Sequence, residues 1–285
     1  MIYETPHDWD NAEQKRAVLF GMSGLGKTYL SNMLRDTGSW FHYSVDYRIG
    51  TRYMGELIAD NAKAHAMQVP FLRDLLLTDS IYIGSNITFE NLAPLSTYLG
   101  KPGDADLGGL PFEEYCARQA QHRMAEIASL LDAERFAERA VGLYGYPHFV
   151  CDCGGSICEV VDPDDPEDPV LDTLEDLGLL IWLKGDTAHR DELIRRFDRS
   201  PKPMYYQPEF LISAWNDYRL ETGLADDKVN PDDFVRWTYA RALDHRQPRY
   251  EAMARRGITV TMDQMTNVSD ATGFDALIRH ALETR

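Results

Sequence analysis

The sequence lacks the features that mark membrane-spanning and secreted proteins. No segment approaches about 18 consecutive apolar residues, so we expect no transmembrane helix. The N-terminal stretch "MIYETPHDWDNAEQKR" has no basic start followed by an apolar run, so we expect no signal peptide. Only four cysteines occur in 285 residues, too few for a disulfide framework. These absences favour a reduced, cytoplasmic protein.

Basic residues are also scarce. The chain has 29 Lys and Arg against 46 Asp and Glu, a formal net charge of −17. Such a charge repels nucleic acids and anionic membranes, so we expect neither as a partner. Much of the acid lies in 161–178, interpreted as a solvated loop leading into a short helix, with a metal or partner site as the alternative. Three cysteines in "CDCGGSIC" (151–158) lack the paired C-x-x-C spacing typical of zinc sites.

Strand-like and helix-like segments alternate along most of the chain. Short apolar or β-branched runs predict strands over 16–20, 40–46, 148–153, 177–185 and 257–263. Helical patterns lie between them, over 27–38, 50–67, 112–140, 189–199 and 271–284. This alternation predicts an α/β fold with a parallel sheet covered on both faces.

The stretch "GMSGLGKT" (21–28) matches the phosphate-loop pattern G-x-x-x-x-G-K-[ST], with a predicted strand before it and a helix after it. Its glycines let backbone N–H groups surround phosphate oxygens, and the helix N-terminus favours negative charge. We expect Lys27 to reach the β- and γ-phosphates and Thr28 to ligate Mg²⁺. The alternative is an ordinary glycine-rich turn. The residues expected to contact the nucleotide are Gly21, Ser23, Gly24, Leu25, Gly26, Lys27, Thr28 and Tyr29.

Carboxylates follow two other predicted strands. Asp46 ends the second strand, where it could accept a proton from a substrate hydroxyl or, alternatively, cap the next helix. Asp152 ends the third strand, as in sites that organise Mg²⁺. Gly154 and Gly155 then allow a substrate or phosphate to approach the backbone. Ligands gather at the carboxyl edge of such sheets, so these residues extend the predicted phosphate site.

The order of motifs resembles the shikimate kinase-like branch of P-loop small-molecule kinases, which includes gluconate kinases. The stretches that carry the resemblance are "VDYRIGTRYMGELI", "HRMAE", "CGGS", "IWLKGDTAHRDELIRRFDRSPKPMYY" and "RYEAMARRGITV". The resemblance implies that Asp46 binds substrate and acts as a base, with Arg52 and Arg123 contacting an anionic acceptor. It further implies that Arg195 packs on adenine and that Lys202 replaces the lid arginine.

The family implies a three-layer α/β/α P-loop NTPase fold with a five-stranded parallel sheet, a helical insertion and a lid. Residues 1–285 would form one domain, with 61–147 as an acceptor-binding insertion and 186–250 as the lid region. Three departures from the family are Ser44 in place of an aspartate, Ser156 in place of a glycine and Lys202 in place of an arginine. The chain is also longer than a minimal shikimate kinase, which argues against shikimate itself as the acceptor.

These features predict Mg²⁺-dependent transfer of the ATP γ-phosphoryl group to a small, anionic, hydroxyl-bearing acceptor. Lys27, Asp46 and Lys202 are the expected catalytic residues; Arg52, Arg123, Gly154 and Gly155 would bind the acceptor, and Thr28 and Asp152 the metal. As alternatives, Arg123 and Glu126 form a surface pair, and Arg195 belongs to a solvated helix end. Two other functions stay open: a regulatory ATPase coupled to a partner protein, and a nucleotide or nucleotide-sugar kinase.

Overall fold

The computed structural model describes residues 3–285, and its centre is a five-stranded parallel sheet. The strands are β1 (Arg16–Phe20), β2 (Trp40–Ser44), β3 (His148–Asp152), β4 (Leu179–Lys184) and β5 (Ile258–Thr261). Their order across the sheet is β2-β3-β1-β4-β5. This sheet and its flanking helices confirm the predicted α/β class and the predicted number of parallel strands.

Strand composition explains why the sheet is parallel and central. Four of the five residues of β1 and five of the six of β4 are buried. Strands buried on both faces are typical of parallel sheets covered by helices. Strand β1 pairs with both β3 and β4, placing Leu19 between Asp152 and Ile181. The carboxyl ends of these three strands therefore meet at one edge.

The chain forms two compact units. The first comprises the chain up to Val45, Ile127–Pro201 and Arg236–Arg285, and it contains the sheet. The second comprises Asp46–Glu126 and Lys202–Val235. Two long helices, α7 (Phe112–Gly142) and α12 (Pro231–Ala254), contribute residues to both units.

Within residues 3–285, seven further α-helices belong to the first unit. They are α1 (Pro6–Asn11), α2 (Lys27–Asp36), α8 (Ile157–Val160), α9 (Pro169–Leu177), α10 (Thr187–Arg199), α13 (Met262–Met265) and α14 (Ala271–Glu283). Helix α1 is attached to α14 by aromatic packing of Trp9 on Phe274, with ring centroids 6.2 Å apart. The Trp9 indole also donates a 2.9 Å hydrogen bond to Asp275. A buried indole needs such a partner, so this contact stabilises the N-terminal helix on the core.

The second unit is mostly helical. Its remaining α-helices are α3 (Val45–Arg48, beginning at the unit boundary), α4 (Gly55–Ala66), α5 (Pro70–Leu77), α6 (Ala93–Leu99) and α11 (Pro208–Thr222), and two short 3-10 helices span Ala105–Leu107 and Asp226–Lys228. Trp215 is buried in this unit, stacked on Phe112 at 4.6 Å and edge-on to Phe234 at 4.9 Å. None of the helices within residues 3–285 is long and apolar enough to cross a lipid bilayer.

Two predicted boundaries are wrong around β2. The strand ends at Ser44, the last residue paired with β3, and Asp46 lies in the first turn of α3 rather than at the strand end. The predicted helix over 50–67 is also interrupted. A π-helical turn spans Ile49–Tyr53 and contains Arg52, and α4 begins only after it. Gly50 packs so closely on Ile87 that a Cβ there would lie 2.7 Å from it, a tertiary contact that periodicity does not report.

The acidic stretch after residue 160 forms the solvated loop and short helix that its composition predicts. Most of 162–167 is exposed, and the Asp168 carboxylate accepts hydrogen bonds from the backbone N–H groups of Val170 and Leu171 at the start of α9. Asp168 is therefore the N-cap, which satisfies helix donors that lack intrahelical partners.

Candidate nucleotide-binding site

The phosphate loop, Gly21–Thr28, connects β1 to α2 at the carboxyl edge of the sheet. Gly21, Gly24 and Gly26 have φ values of 139°, 87° and 85°, a left-handed region that favours glycine. A Cβ at Gly21 would also lie 2.6 Å from the Leu183 carbonyl oxygen. The glycine pattern is therefore required by both the backbone conformation and the packing of this loop.

Lys27 is the first residue of α2, and its side chain is buried. Its ammonium donates hydrogen bonds to the carbonyl oxygens of Gly21, at 2.8 Å, and Met22, at 3.0 Å. These contacts draw the positive charge back over the loop. An ammonium held there offsets the negative charge of a phosphate that enters the loop.

Thr28 and Asp152 come together although 124 residues separate them. The Thr28 hydroxyl donates a 2.7 Å hydrogen bond to the Asp152 carboxylate, and Asp152 is only 5% exposed. His42 lies beside the pair, with its Nε2 3.6 Å from the same carboxylate oxygen. One hydroxyl and one carboxylate beside a phosphate loop fit Mg²⁺, which takes few protein ligands and completes its shell with water and phosphate oxygens.

The described chain, residues 3–285, offers no cluster of three or more His, Cys, Asp and Glu side chains that could hold a metal ion. The four cysteines are all free, and the sulfur atoms of Cys151 and Cys153 are 3.9 Å apart. The hydrogen bond with Cys151, together with burial, raises the pKa of Cys153 well above its ordinary value. Cys153 is therefore a neutral thiol and adds no charge beside Asp152.

The glycine turn, Gly154–Gly155, follows Asp152 and packs against the phosphate loop. A Cβ at Gly155 would lie 2.1 Å from the Ser23 hydroxyl oxygen and 2.9 Å from the Ser23 backbone nitrogen. No side chain fits at Gly155 without moving the loop. The structure thus brings together the predicted residues Ser23, Gly155 and, beside them, Lys27, Thr28 and Asp152.

Four predicted residues lie in the second unit, and the structure gives their local settings. Asp46 is half-buried in α3, and Arg52 is exposed in the π-helical turn. Arg123 is half-buried on α7, and Lys202 is exposed. Their roles toward an acceptor stay predictions.

The segment after Lys202 is held by side chains of α7. The Met204 carbonyl oxygen accepts hydrogen bonds from the Tyr115 hydroxyl and the Gln119 amide, each 3.1 Å long. The Gln119 carbonyl oxygen in turn accepts from the Tyr206 backbone N–H at 2.9 Å. Gln119 thereby bridges residues 204 and 206, which fixes the chain just after Lys202. Nothing in the sequence around Gln119 predicts this role, because no local pattern marks a long-range amide contact.

Arg123 and Arg195 each have an alternative interpretation as surface residues, and the structure shows their surroundings. Glu126 is fully buried, so it does not lie on the surface as the alternative supposes, and its carboxylate lies 3.7 Å from His122. Burial lowers the pKa of His122 to about 4, so this imidazole is neutral at pH 7. Arg195 is 65% exposed and pairs with Glu192 at 2.8 Å, as expected for a solvated helix end. Its predicted contact with adenine stays a prediction.

A buried ion pair that the sequence analysis missed lies behind the glycine turn. Arg246 of α12 contacts Glu159 of α8 at 2.5 Å, and both side chains are at most 3% exposed. Burial opposes the charge on Arg246, but Glu159 and neighbouring groups raise the pKa of this arginine, so the guanidinium stays charged. The only available signal was the arginine-rich segment 246–256, which by itself does not indicate burial.

Replacing Glu159 with glutamine is expected to lower the free energy of unfolding by about 3–5 kcal/mol, because the Arg246 charge would stay buried without its carboxylate. Urea denaturation at pH 7 measures this. The control is Asp244→Asn, which breaks the Arg190–Asp244 pair, whose side chains are 31% and 64% exposed. We expect that control to cost at most about 1 kcal/mol. Equal losses of unfolding free energy in the two variants would contradict a large contribution of the buried pair to stability.

No protein-family model and no curated protein matches the chain. Among solved structures, the chain is similar to a shikimate kinase from Bacteroides thetaiotaomicron. The identity is 14% and the TM-score 0.40, over 95% of this chain and 97% of that chain.

Proposed function

We propose that the protein transfers the γ-phosphoryl group of ATP to a hydroxyl group of a small, anionic acceptor in the presence of Mg²⁺. The observation that carries the proposal is the hydrogen-bonded pair of Thr28 and Asp152 beside the buried Lys27, at the end of a glycine loop. This set combines a phosphate cradle, a cation and an oxygen-rich metal position. Such parts supply most of the catalysis in phosphoryl transfer, which depends on positioning and charge stabilisation.

Each of the predicted site residues has a specific role in the proposed phosphoryl transfer. The loop N–H groups and Lys27 bind and orient the phosphates, and Thr28 with Asp152 would hold Mg²⁺, which neutralises phosphate charge when bound. Asp46 orients the acceptor hydroxyl and accepts its proton. Arg52 and Arg123 bind the anionic part of the acceptor, since guanidinium groups pair well with carboxylate or phosphate. Gly154 and Gly155 allow the acceptor to approach the backbone.

We further propose that residues 61–147 bind the acceptor and that the lid lies within the region 186–250. Lys202 would close over the γ-phosphate and exclude water, which limits wasteful hydrolysis of ATP. Arg195 would pack on the adenine base. With a net charge of −17, polynucleotides are poor acceptors, and a small molecule is the expected partner.

The test is ADP release from Mg·ATP, measured alone and with a panel of hydroxyl-bearing metabolites, including sugar acids and nucleotide sugars. Phosphorylated products are identified by ³¹P NMR. Strong dependence on one metabolite, with one product per ADP released, is expected. Release that responds only to an added partner protein would instead favour a regulatory ATPase.

Replacing Asp46 with asparagine should leave nucleotide binding unchanged and lower phosphoryl transfer about 10²-fold, because the amide cannot accept the hydroxyl proton. Transfer is measured as ADP release with the acceptor identified by the panel, and binding as the Kd for Mg·ADP. The matched control is Asp60→Asn on α4, which removes an exposed carboxylate that pairs only with Lys63 among the ion pairs found within residues 3–285. If Asp46→Asn retains full transfer, Asp46 is not the base.

A further inference from the structure

The glycine turn and the phosphate loop are in direct contact. The position of the loop therefore depends on the groups that hold the turn in place. Gly155 lies against Ser23 so closely that a single methyl group there would displace one of the two segments. The backbone of the turn therefore limits where Ser23 and the loop can lie. The groups that bond to the turn from its other side have a direct influence on the loop.

The side chains that bond to the glycine turn and to the residues after it come from helix α12. Tyr250 of α12 donates a 2.7 Å hydrogen bond from its hydroxyl to the Gly155 carbonyl oxygen. Arg249 donates to the carbonyl oxygens of Cys158, at 2.5 Å, and Val161, at 2.8 Å. With the Arg246–Glu159 ion pair, α12 therefore contacts the chain at four points between residues 155 and 161.

The Tyr250 side chain is itself held in place by packing, so its hydroxyl can fix the position of Gly155. The side chain is fully buried, and its ring packs near those of Phe20, the last residue of β1, and Trp182 of β4, with centroids 6.3 Å and 6.5 Å away. Burial raises the pKa of Tyr250 well above its ordinary value, so the hydroxyl remains a donor at neutral pH. The ring thus packs on β1, which leads into the phosphate loop, and on β4, its neighbour in the sheet.

We infer that Tyr250 is a positioning residue for nucleotide phosphates: its hydroxyl holds the Gly155 carbonyl, and through Ser23 keeps the phosphate loop in its binding shape. A preformed loop binds phosphate without a separate ordering cost, whereas a loosened loop must be ordered on binding. This inference rests on the proposed nucleotide binding but not on the acceptor or on phosphoryl transfer.

The test is the affinity of Tyr250→Phe for Mg·ADP and for Mg·pyrophosphate, measured by calorimetry. We expect both affinities to fall about 3- to 10-fold, the usual effect of one hydrogen bond. Pyrophosphate lacks the base and sugar of ADP. Equal losses of affinity for the two ligands would therefore locate the effect in the phosphate loop. A general structural defect would show as a reduced number of binding sites and a lower Tm, not as equal losses of affinity in the folded fraction.

The matched control is Tyr3→Phe, a buried tyrosine whose hydroxyl donates a 3.0 Å hydrogen bond to the Gln14 carbonyl oxygen, outside the proposed binding segments. This variant should bind both ligands as the wild type does. Unchanged affinity in Tyr250→Phe, or a loss for Mg·ADP without one for Mg·pyrophosphate, would overturn the inference. If the wild type binds neither ligand, the proposed function itself fails, which is a separate and recognisable result.

A second variant tests the route through Ser23. Gly155→Ala should weaken Mg·ADP binding by displacing Ser23 directly, and the double variant Gly155→Ala/Tyr250→Phe should lose less than the product of the two single effects. Both substitutions act on the glycine turn. Once one of them has displaced the turn, the other should cause little further loss of affinity. Fully multiplicative losses would mean that Tyr250 acts elsewhere and would overturn the inference.

Discussion

Lys27→Ala is expected to lower nucleotide turnover at least about 10³-fold, because it removes the only cation that the loop motif directs at the β- and γ-phosphates. The ammonium is anchored on Gly21 and Met22 carbonyl oxygens within the loop, so water would not replace it in a fixed geometry. These two oxygens lose a donor in the variant, which should reduce the free energy of unfolding by about 1–3 kcal/mol. The loss of turnover is far larger than this structural effect.

The measurement is kcat and KM for ATP, taken at a temperature where the melting curve shows the variant to be folded. Arg279→Ala is the control, since Arg279 is 41% exposed, pairs with Asp10 on the surface of α14 and lies outside the proposed binding segments. It should keep full activity. Turnover by Lys27→Ala within about tenfold of the wild type would contradict a phosphate-binding role for Gly21–Thr28.

Asp152→Asn is expected to lower turnover about 10²- to 10³-fold and to raise the Mg²⁺ concentration needed for half-maximal rate. Asparagine preserves the shape of the side chain, and its carbonyl oxygen can still accept the hydrogen bond from Thr28. The substitution therefore tests the negative charge at the end of β3 separately from the shape of the side chain. The rate is measured against Mg²⁺ concentration at a saturating level of ATP.

The matched control for this charge is Asp164→Asn. Asp164 is an exposed residue of the acidic loop that the sequence analysis considered as an alternative metal site. We expect its Mg²⁺ dependence to equal that of the wild type. A shifted Mg²⁺ dependence in Asp164→Asn, together with a normal one in Asp152→Asn, would place the metal in the loop and contradict the site proposed beside Thr28.

The predicted elements that the structure confirms are those with strong local signals. Strand β1 has the predicted bounds, 16–20, because four of its five residues are apolar and glycine follows immediately. The long helix α7 spans 112–142 against a prediction of 112–140, since helix-forming residues run without glycine or proline through 113–141. The phosphate loop is equally local: eight consecutive residues specify both its conformation and its chemistry.

The site residues that the sequence analysis misplaced or missed depend on contacts between distant segments. Asp46 belongs to a helix and not to β2, because the pairing with β3 ends at Ser44 and the chain then turns. Glu126 has the spacing of a surface pair with Arg123, but packing buries it beside His122. A residue spacing reports which side chains share a helix face, and it does not report what covers that face.

The sequence by itself determined the parallel α/β class and the phosphate loop, since strand composition, glycine positions and the Lys-Thr pair are local properties of consecutive residues. Only the tertiary structure decided that Thr28 meets Asp152 and that Tyr250 bonds to Gly155, over separations of 124 and 95 residues. The physical reason is that burial and long-range hydrogen bonds arise when the sheet and α12 pack, and no property of the isolated segments contains that information.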